Sequence, residues 1–569
     1  MAKAIELKDA GIANIKNPVI GVFMPGDFRV DLDSRERCRN IIEMSANVIA
    51  EAVKLPNGEP VKVVYSKTLV DGEKQADIVA GEFKDAGVNI LVCVPDTWSF
   101  PQLTTISLLQ QFPKDTPINI TCGNSGPKPG VVYAHATAGA IAQYGKLCHL
   151  NVGSWDDRGM NPVMTEETAT ALIDWCFAAV TFQYLKGKRV AVFGHDSMGM
   201  ETALAHVIPT RNQFGLEIAR IDMKMMADLL KKEAYDKEEL KALRAFVDDN
   251  SAHVEYNNAK ENELFNQSLA LYLIARDYLA DLNAIGGGFQ SQLEWGSDPK
   301  GLPLPVADAM ECFFNSTFDH NGPKKPIPFA TESDTQALLT MLVFSSLTAG
   351  NSPLFMDFRK VWEPWEIKKF AAERNITLPN ADWVTKGFVD GNNSGSAGFD
   401  WAGYPGESPK ELMSKVSFPL AGAGYFPGGG NSATFTTPGG LSGIAGRLMY
   451  STLSGLFSMS WDEATTAGIE DSIAQEFREL TDKNWPHTFV MPKYATMNEY
   501  KHFPPANHFH MVQGLNVARL QYWMDLSNVL SHNGWAARPS YIEGTDRPTP
   551  LLYVANGGED NAKLLLGKK

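Results

Sequence analysis

Short apolar runs alternate with longer amphipathic segments through the first third of the chain. Val19-Ile-Gly-Val-Phe23, Val61-Lys-Val-Val-Tyr65, Asn89-Ile-Leu-Val-Cys-Val94 and Ile118-Asn-Ile-Thr121 have the length and β-branched content of strands. Between them, Ser34–Lys54 and Asp77–Ala86 carry helical patterning. Such alternation predicts a doubly wound sheet with helices on both faces. A long helical stretch, Thr165–Leu185, closes this first unit, and Val190-Ala-Val-Phe193 reads as the first strand of another. Helical segments follow over residues 223–249 and Glu261–Asn283. Beyond residue 350, glycine, threonine, serine and aromatic residues become frequent, as in Gly422-Ala-Gly-Tyr-Phe-Pro-Gly-Gly-Gly430. The fold class expected is therefore α/β: two doubly wound α/β domains, residues 1–185 and 186–350, then a β-rich, barrel-like C-terminal domain over residues 351–569.

Two acidic residues stand at the ends of apolar stretches. Pro326-Ile-Pro-Phe-Ala-Thr-Glu332 reads as a short buried strand, Asp334–Gly350 as a helix, and Pro353-Leu-Phe-Met-Asp357 as a second strand. A strand-helix-strand crossover makes its two strands parallel and puts their carboxyl ends on one sheet edge, where open α/β folds place ligands. Two carboxylates meeting there repel unless a cation or a shared proton sits between them, and a hard divalent metal is the simplest resolution. The alternative is structural: Glu332 caps the following helix and Asp357 pairs with Arg359 or another base. His508, in Pro504-Pro-Ala-Asn-His-Phe-His510, is a third candidate ligand, and His510 would share its face of a strand.

Composition narrows the partners. The 569 residues carry a net charge of -15 with no long basic run, which argues against nucleic acid. No apolar run reaches the ~18 residues of a membrane span, and the N-terminus lacks the apolar core of a secretory signal, so a cytoplasmic protein is expected. The six cysteines form no C-x-x-C pair, which leaves a zinc ribbon unsupported and points to reduced thiols. Gly286-Gly-Gly288 and Gly428-Gly-Gly430 match no nucleotide-binding motif. Gly194-His-Asp-Ser-Met-Gly199 lacks the register of a nucleophile elbow. Trp98, Trp295, Tyr425 and Trp485 recur beside polar neighbours, a composition suited to sugar faces and hydroxyls.

Assembled in order, these segments resemble the L-fucose isomerase family. The resemblance is carried by Gly288-Phe-Gln290-Ser-Gln292 with Trp295, then Phe314-Asn-Ser-Thr-Phe-Asp319 with Asn321-Gly322, and Ala330-Thr-Glu332. Asn393-Ser394-Gly-Ser-Ala397, Tyr425-Phe-Pro-Gly428, Trp485-Pro486 and Ala506-Asn507-His508 follow. The resemblance implies an aldose-ketose isomerase acting on L-fucose and usually also on D-arabinose, using Mn2+ (with Mg2+ or Co2+ as alternatives) in a homo-hexamer. It implies Glu332, Asp357 and His508 as metal ligands, with Glu332 and Asp357 also the proton-transfer carboxylates. Gln290, Ser394, Tyr425, Trp485 and Asn507 fall at sugar-contacting positions, and Met198 and Trp98 match more loosely. Arg29 corresponds to an arginine offered by a neighbouring subunit. The loop Pro95-Asp-Thr-Trp98, a longer segment between Trp295 and Glu332, and Pro427 depart from the family pattern, which bears on substrate preference more than on reaction type. An isomerase for a related aldose such as L-arabinose would share the architecture. A non-catalytic sugar-binding protein would not need three ligands to converge.

Overall fold

The computed structural model describes residues 17–123, 128–146, 148–156, 159–195, 198–290, 304–392, 395, 397–422, 424–452, 454–502, 506–533, 539–541, 548–550 and 552–554. Contacts divide the chain into two units, one running to Lys186 and including Ala518–Ser527, the other Gly187–Val517 with the segment from Asn528.

The first unit is built on five parallel strands, β1 (Val19–Phe23), β2 (Lys62–Tyr65), β3 (Ile90–Cys93), β4 (Ile118–Gly123) and β5 (His149–Gly153), in the order β2-β1-β3-β4-β5. Every residue of β1, β3 and β4 is buried, as expected of parallel strands covered on both faces. Helix α1 (Leu32–Ala52) starts at Asp31, whose side chain accepts from Ser34 N, and buries Cys38, Ile41, Ile42, Ala46 and Ile49 at helical spacing. Helix α2 (Glu73–Ala86) stops at Gly87, which takes the left-handed conformation at φ 83°.

The second unit combines a parallel sheet with a closed barrel. The sheet strands are β6 (Arg189–Phe193), β7 (Glu217–Ile221), β8 (Ala284–Phe289) and β9 (Phe329–Ala330), in the order β9-β8-β6-β7. The barrel strands are β10 (Pro353–Trp362), β11 (Phe388–Asn392), β12 (Ser442–Ser451), β13 (Leu456–Thr466), β14 (His487–Pro492) and β15 (His508–Gln513). They run β12-β15-β10-β11-β14-β13, and the β12–β13 pairing closes the ring. All six ring pairings are antiparallel, so closure leaves no exposed edge on these strands. Helix α3 (Thr335–Leu347) is buried at all of its 13 positions. It packs on barrel strands β10, β12 and β15 and on sheet strands β8 and β9, which is why its apolar residues run all round rather than along one stripe.

The structure corrects the expected crossover. Strands β9 and β10 do not lie in one parallel sheet: β9 pairs with β8, whereas β10 enters the antiparallel barrel. Prolines at 323, 326 and 328 limit pairing before Phe329, so β9 contributes only two residues. The expected helix over 223–249 is likewise two helices, Met223–Lys231 and Lys237–Asn250, broken where Glu233 takes φ 53° and Asp236 caps the second.

Close approach of β8 to β9 requires glycine at 288, where a Cβ would lie 2.6 Å from the Ala330 carbonyl oxygen. That oxygen is backbone and cannot swing aside. Gly288→Ala is expected to destabilise the protein by about 1–3 kcal/mol, measured by denaturant unfolding; an unchanged midpoint would contradict the packing. All six cysteines are free, five of them buried. Among the described residues no helix is long and apolar enough to cross a membrane.

Candidate active site

Strand β9 runs into a turn with unusual backbone. Glu332 has φ 59° and ψ 19°, and Ser333 has φ 52°. Left-handed conformation costs on the order of 1–2 kcal/mol for each such L-residue and persists where the surroundings impose it, often at functional sites. Asp334 follows, and its Oδ1 accepts from Ala337 N at 2.9 Å to cap α3. The cap is therefore Asp334 and not Glu332. Asp357 sits within β10, directly opposite His508 on β15. No ion pair joins Asp357 to Arg359 among the described residues; Arg359 Nε donates to Asn392 Oδ1 at 3.1 Å, and its guanidinium lies 5.1 Å from the Trp485 ring centroid.

The three sequence-derived ligands meet at one atom. His508 Nε2 lies 3.3 Å from Glu332 Oε2 and 3.1 Å from Asp357 Oδ1. On its other side His508 Nδ1 lies 2.7 Å from Asp334 Oδ2. Arg447 grips that same carboxylate with Nη1 at 2.8 Å from Oδ2 and Nη2 at 2.9 Å from Oδ1. Neither Arg447 nor Asp334 is solvent-accessible. Burial opposes charge on Asp334, but the Arg447 guanidinium and the His508 ring hold its carboxyl below the usual range. Burial likewise opposes charge on His508, yet Asp334, Asp357 and Glu332 together raise its imidazole well above the ordinary value.

His510 does share the face of His508, and both rings pack on Phe355, with centroids 4.9 and 4.7 Å away. It turns to a different partner, however, with Nε2 3.2 Å from Arg447 Nη1. Burial and the adjacent Arg447 charge push its imidazole well below the usual value. Asn507 Nδ2 lies 2.9 Å from His508 Nε2, and Asn507 Oδ1 accepts from Thr202 Oγ1 at 3.2 Å. The segment after Met198, itself at φ 44°, is thereby tied to the site.

The other sequence-derived residues fall into four groups. Gln290 is buried just beyond β8. Tyr425 and Trp485 form an aromatic pair with centroids 5.5 Å apart, Tyr425 exposed and Trp485 buried. Trp98 and Arg29 belong to the first unit, where Trp98 packs edge-on against Phe100 and Tyr133, and exposed Arg29 pairs with Asp27 through Nε–Oδ1 at 2.9 Å. Ser394 and Trp295 lie outside the described residues.

Among the described residues no three His, Cys, Asp or Glu side chains already stand at the mutual spacing of a metal-ligand set; at this site both carboxylates approach the imidazole nitrogen itself. The donor chemistry does fit a divalent cation, since two carboxylate oxygens and one imidazole nitrogen converge from three different strands and turns. From the sequence Asp334 stood only as the first residue of a helix, and Arg447 was not singled out. The signal for Arg447 is a lone cation in the apolar strand Gly443-Ile-Ala-Gly-Arg-Leu-Met-Tyr450, a position rarely charged unless paired.

Near the aromatic pair, Asp308 is fully buried at the start of the helix Asp308–Asn315. Burial pushes its carboxyl up to about 7, with the Ser432 hydroxyl opposing and the Asp482 charge adding. An unfolded aspartate titrates near ~3.9, so between these values the folded state holds the extra proton and stability falls as pH rises through the window. Asp308→Asn removes this dependence. The variant is expected to gain stability over the wild type on going from pH 4 to about 7, read from urea unfolding of both; parallel pH profiles would contradict it.

Two family models match the chain: the first N-terminal domain of L-fucose isomerase over residues 17–187, and the second N-terminal domain over residues 188–349. An L-fucose isomerase of Vibrio vulnificus is 26% identical over 504 residues, covering 82% of this chain and 83% of its own. An L-fucose isomerase of Streptococcus pneumoniae is 25% identical over 529 residues, covering 86% and 87%.

Proposed function

The chain belongs to the L-fucose isomerase family and is an aldose-ketose isomerase, and from that premise we propose that it interconverts L-fucose and L-fuculose, and D-arabinose and D-ribulose, by metal-assisted proton transfer through an enediol. The observation that carries this reading is the convergence of Glu332 and Asp357 on His508 Nε2. In the proposal these three residues hold Mn2+, with Mg2+ or Co2+ as substitutes. The chemistry the ion supplies when bound is polarisation of the sugar carbonyl and stabilisation of the negative charge that develops on oxygen.

The protein's own residues then have distinct tasks. One of the two carboxylates, Glu332 or Asp357, removes the proton from C2 and returns it to C1, while the other assists proton transfer between the oxygens. Asn507, bonded to both His508 and Thr202, is suited to a sugar hydroxyl. Gln290, Ser394 and Met198 are assigned to the substrate with it, and Tyr425 and Trp485 offer an apolar face to sugar C–H groups. We extend the reading to a cytoplasmic homo-hexamer of three-domain chains divided near residues 185 and 350, in which Trp98 contacts the sugar and Arg29 serves a neighbouring site.

The test is ketose formation by chelator-stripped protein with and without Mn2+, supplied with L-fucose and, in parallel, D-arabinose. Mn2+-dependent ketose from both is expected. No product from either sugar, with folded and Mn2+-supplied protein, would overturn the substrate assignment.

A further inference from the structure

The strongest unassigned feature is a buried chain of polar groups behind the three proposed ligands. It runs from His510 Nε2 to Arg447 (3.2 Å), from Arg447 to both oxygens of Asp334 (2.8 and 2.9 Å), and from Asp334 Oδ2 to His508 Nδ1 (2.7 Å). We infer that Asp334 and Arg447 are positioning residues that set the tautomer and orientation of His508 for cation binding. This rests on the metal-site reading above and deepens it.

An ionised carboxylate only accepts hydrogen bonds, so the Asp334 contact places a proton on His508 Nδ1. In the neutral imidazole that a cation requires, the lone pair is then left on Nε2, the nitrogen facing Glu332 and Asp357, once the proton shared with those carboxylates has gone. The orienting carboxylate is itself fixed by two further groups. Ala337 N donates to its Oδ1 at 2.9 Å, and the Arg447 fork bonds both of its oxygens. Arg447 is anchored in turn by the Thr202 carbonyl at 2.6 Å, so the same guanidinium braces the Met198–Thr202 segment that bonds Asn507. Phe355 limits rotation of the His508 ring from one face. Removing Asp334 or Arg447 loosens the imidazole without touching a proposed ligand.

Asp334→Asn tests this on the full chain. Asparagine retains the capping function and the shape, but its amide can offer either a donor or an acceptor to Nδ1. Mn2+ affinity, measured by calorimetry on chelator-stripped protein, is expected to weaken by about 10–100-fold. Ketose formation is expected to recover toward wild type at saturating Mn2+, because Glu332 and Asp357 are intact; a merely structural loss would not be rescued by metal. Should Asp334→Asn fail to fold, the double variant Asp334→Asn/Arg447→Met removes both buried charges together and carries the same expectation. Unchanged Mn2+ affinity in either folded variant overturns the inference while the metal site stands. Wild-type protein that binds no Mn2+ overturns the site reading and this inference with it, so the two failures are told apart by the wild-type arm.

Discussion

Glu332→Gln is expected to lower ketose formation by about 10²–10⁴-fold while leaving the thermal unfolding midpoint close to wild type. The amide has the shape of the carboxyl and the same backbone preference, so the left-handed turn at φ 59° is neither relieved nor worsened. It cannot accept a proton, and it brings no negative charge to the point where Asp357 and His508 meet. The first consequence falls on the chemical step and the second on cation binding. Saturating Mn2+ is expected not to restore turnover, in contrast to Asp334→Asn, because the missing group is the acid-base residue itself and not its support. Turnover within tenfold of wild type would remove Glu332 from the chemistry and leave its strained backbone without a functional explanation.

Arg447→Met is expected to destabilise the protein by about 3–5 kcal/mol, the range for breaking one partner out of a buried ion pair. The methionine fills much of the space, so the loss is electrostatic more than steric. Asp334 would keep its bonds from His508 Nδ1 and Ala337 N but lose the two guanidinium contacts, and the Thr202 carbonyl and His510 Nε2 would each lose their Arg447 donor. Arg447→Lys should fall between, since lysine keeps the charge and cannot reproduce the fork. Denaturant unfolding of the three proteins gives the order. An Arg447→Met variant as stable as wild type would mean that Asp334 is neutralised without Arg447, and the buried chain would lose its organising member.

Local pattern carried much of the first sheet. The runs Val19–Phe23, Asn89–Val94 and Ile118–Thr121 are apolar because both faces of their sheet are covered, and the strands formed close to where those runs lie. The character of the last third was legible too, and its glycine- and threonine-rich segments border a closed barrel. What local pattern could not carry was pairing over long sequence distances. Asp357 meets His508 because β10 pairs with β15, 151 positions further on in the register Asp357↔His508, and nothing near either residue encodes that partner. The crossover inferred from strand-helix-strand order therefore brought Glu332 and Asp357 together for the wrong reason: the two reach the same imidazole from a sheet turn and a barrel strand. Asp334 stood out only as the start of a helix, because its further task, accepting from His508 and Arg447, is visible only once three distant segments are packed. Glu332, Asp357 and His508 were candidates from local pattern and were joined into one ligand set only through the family resemblance; the spacing of the two carboxylates alone also allowed a capping residue and an ion pair.

Glu332, Asp357 and His508 are expected to hold a divalent cation together. Anomalous scattering from a crystal of the protein soaked in Mn2+ and measured across the manganese edge tests it most directly. A single strong peak bounded by Glu332, Asp357 and His508, lost in crystals of Glu332→Gln or His508→Ala, is the predicted result. A peak held by other residues, or no peak at this site in crystals of protein whose turnover depends on Mn2+, would contradict it.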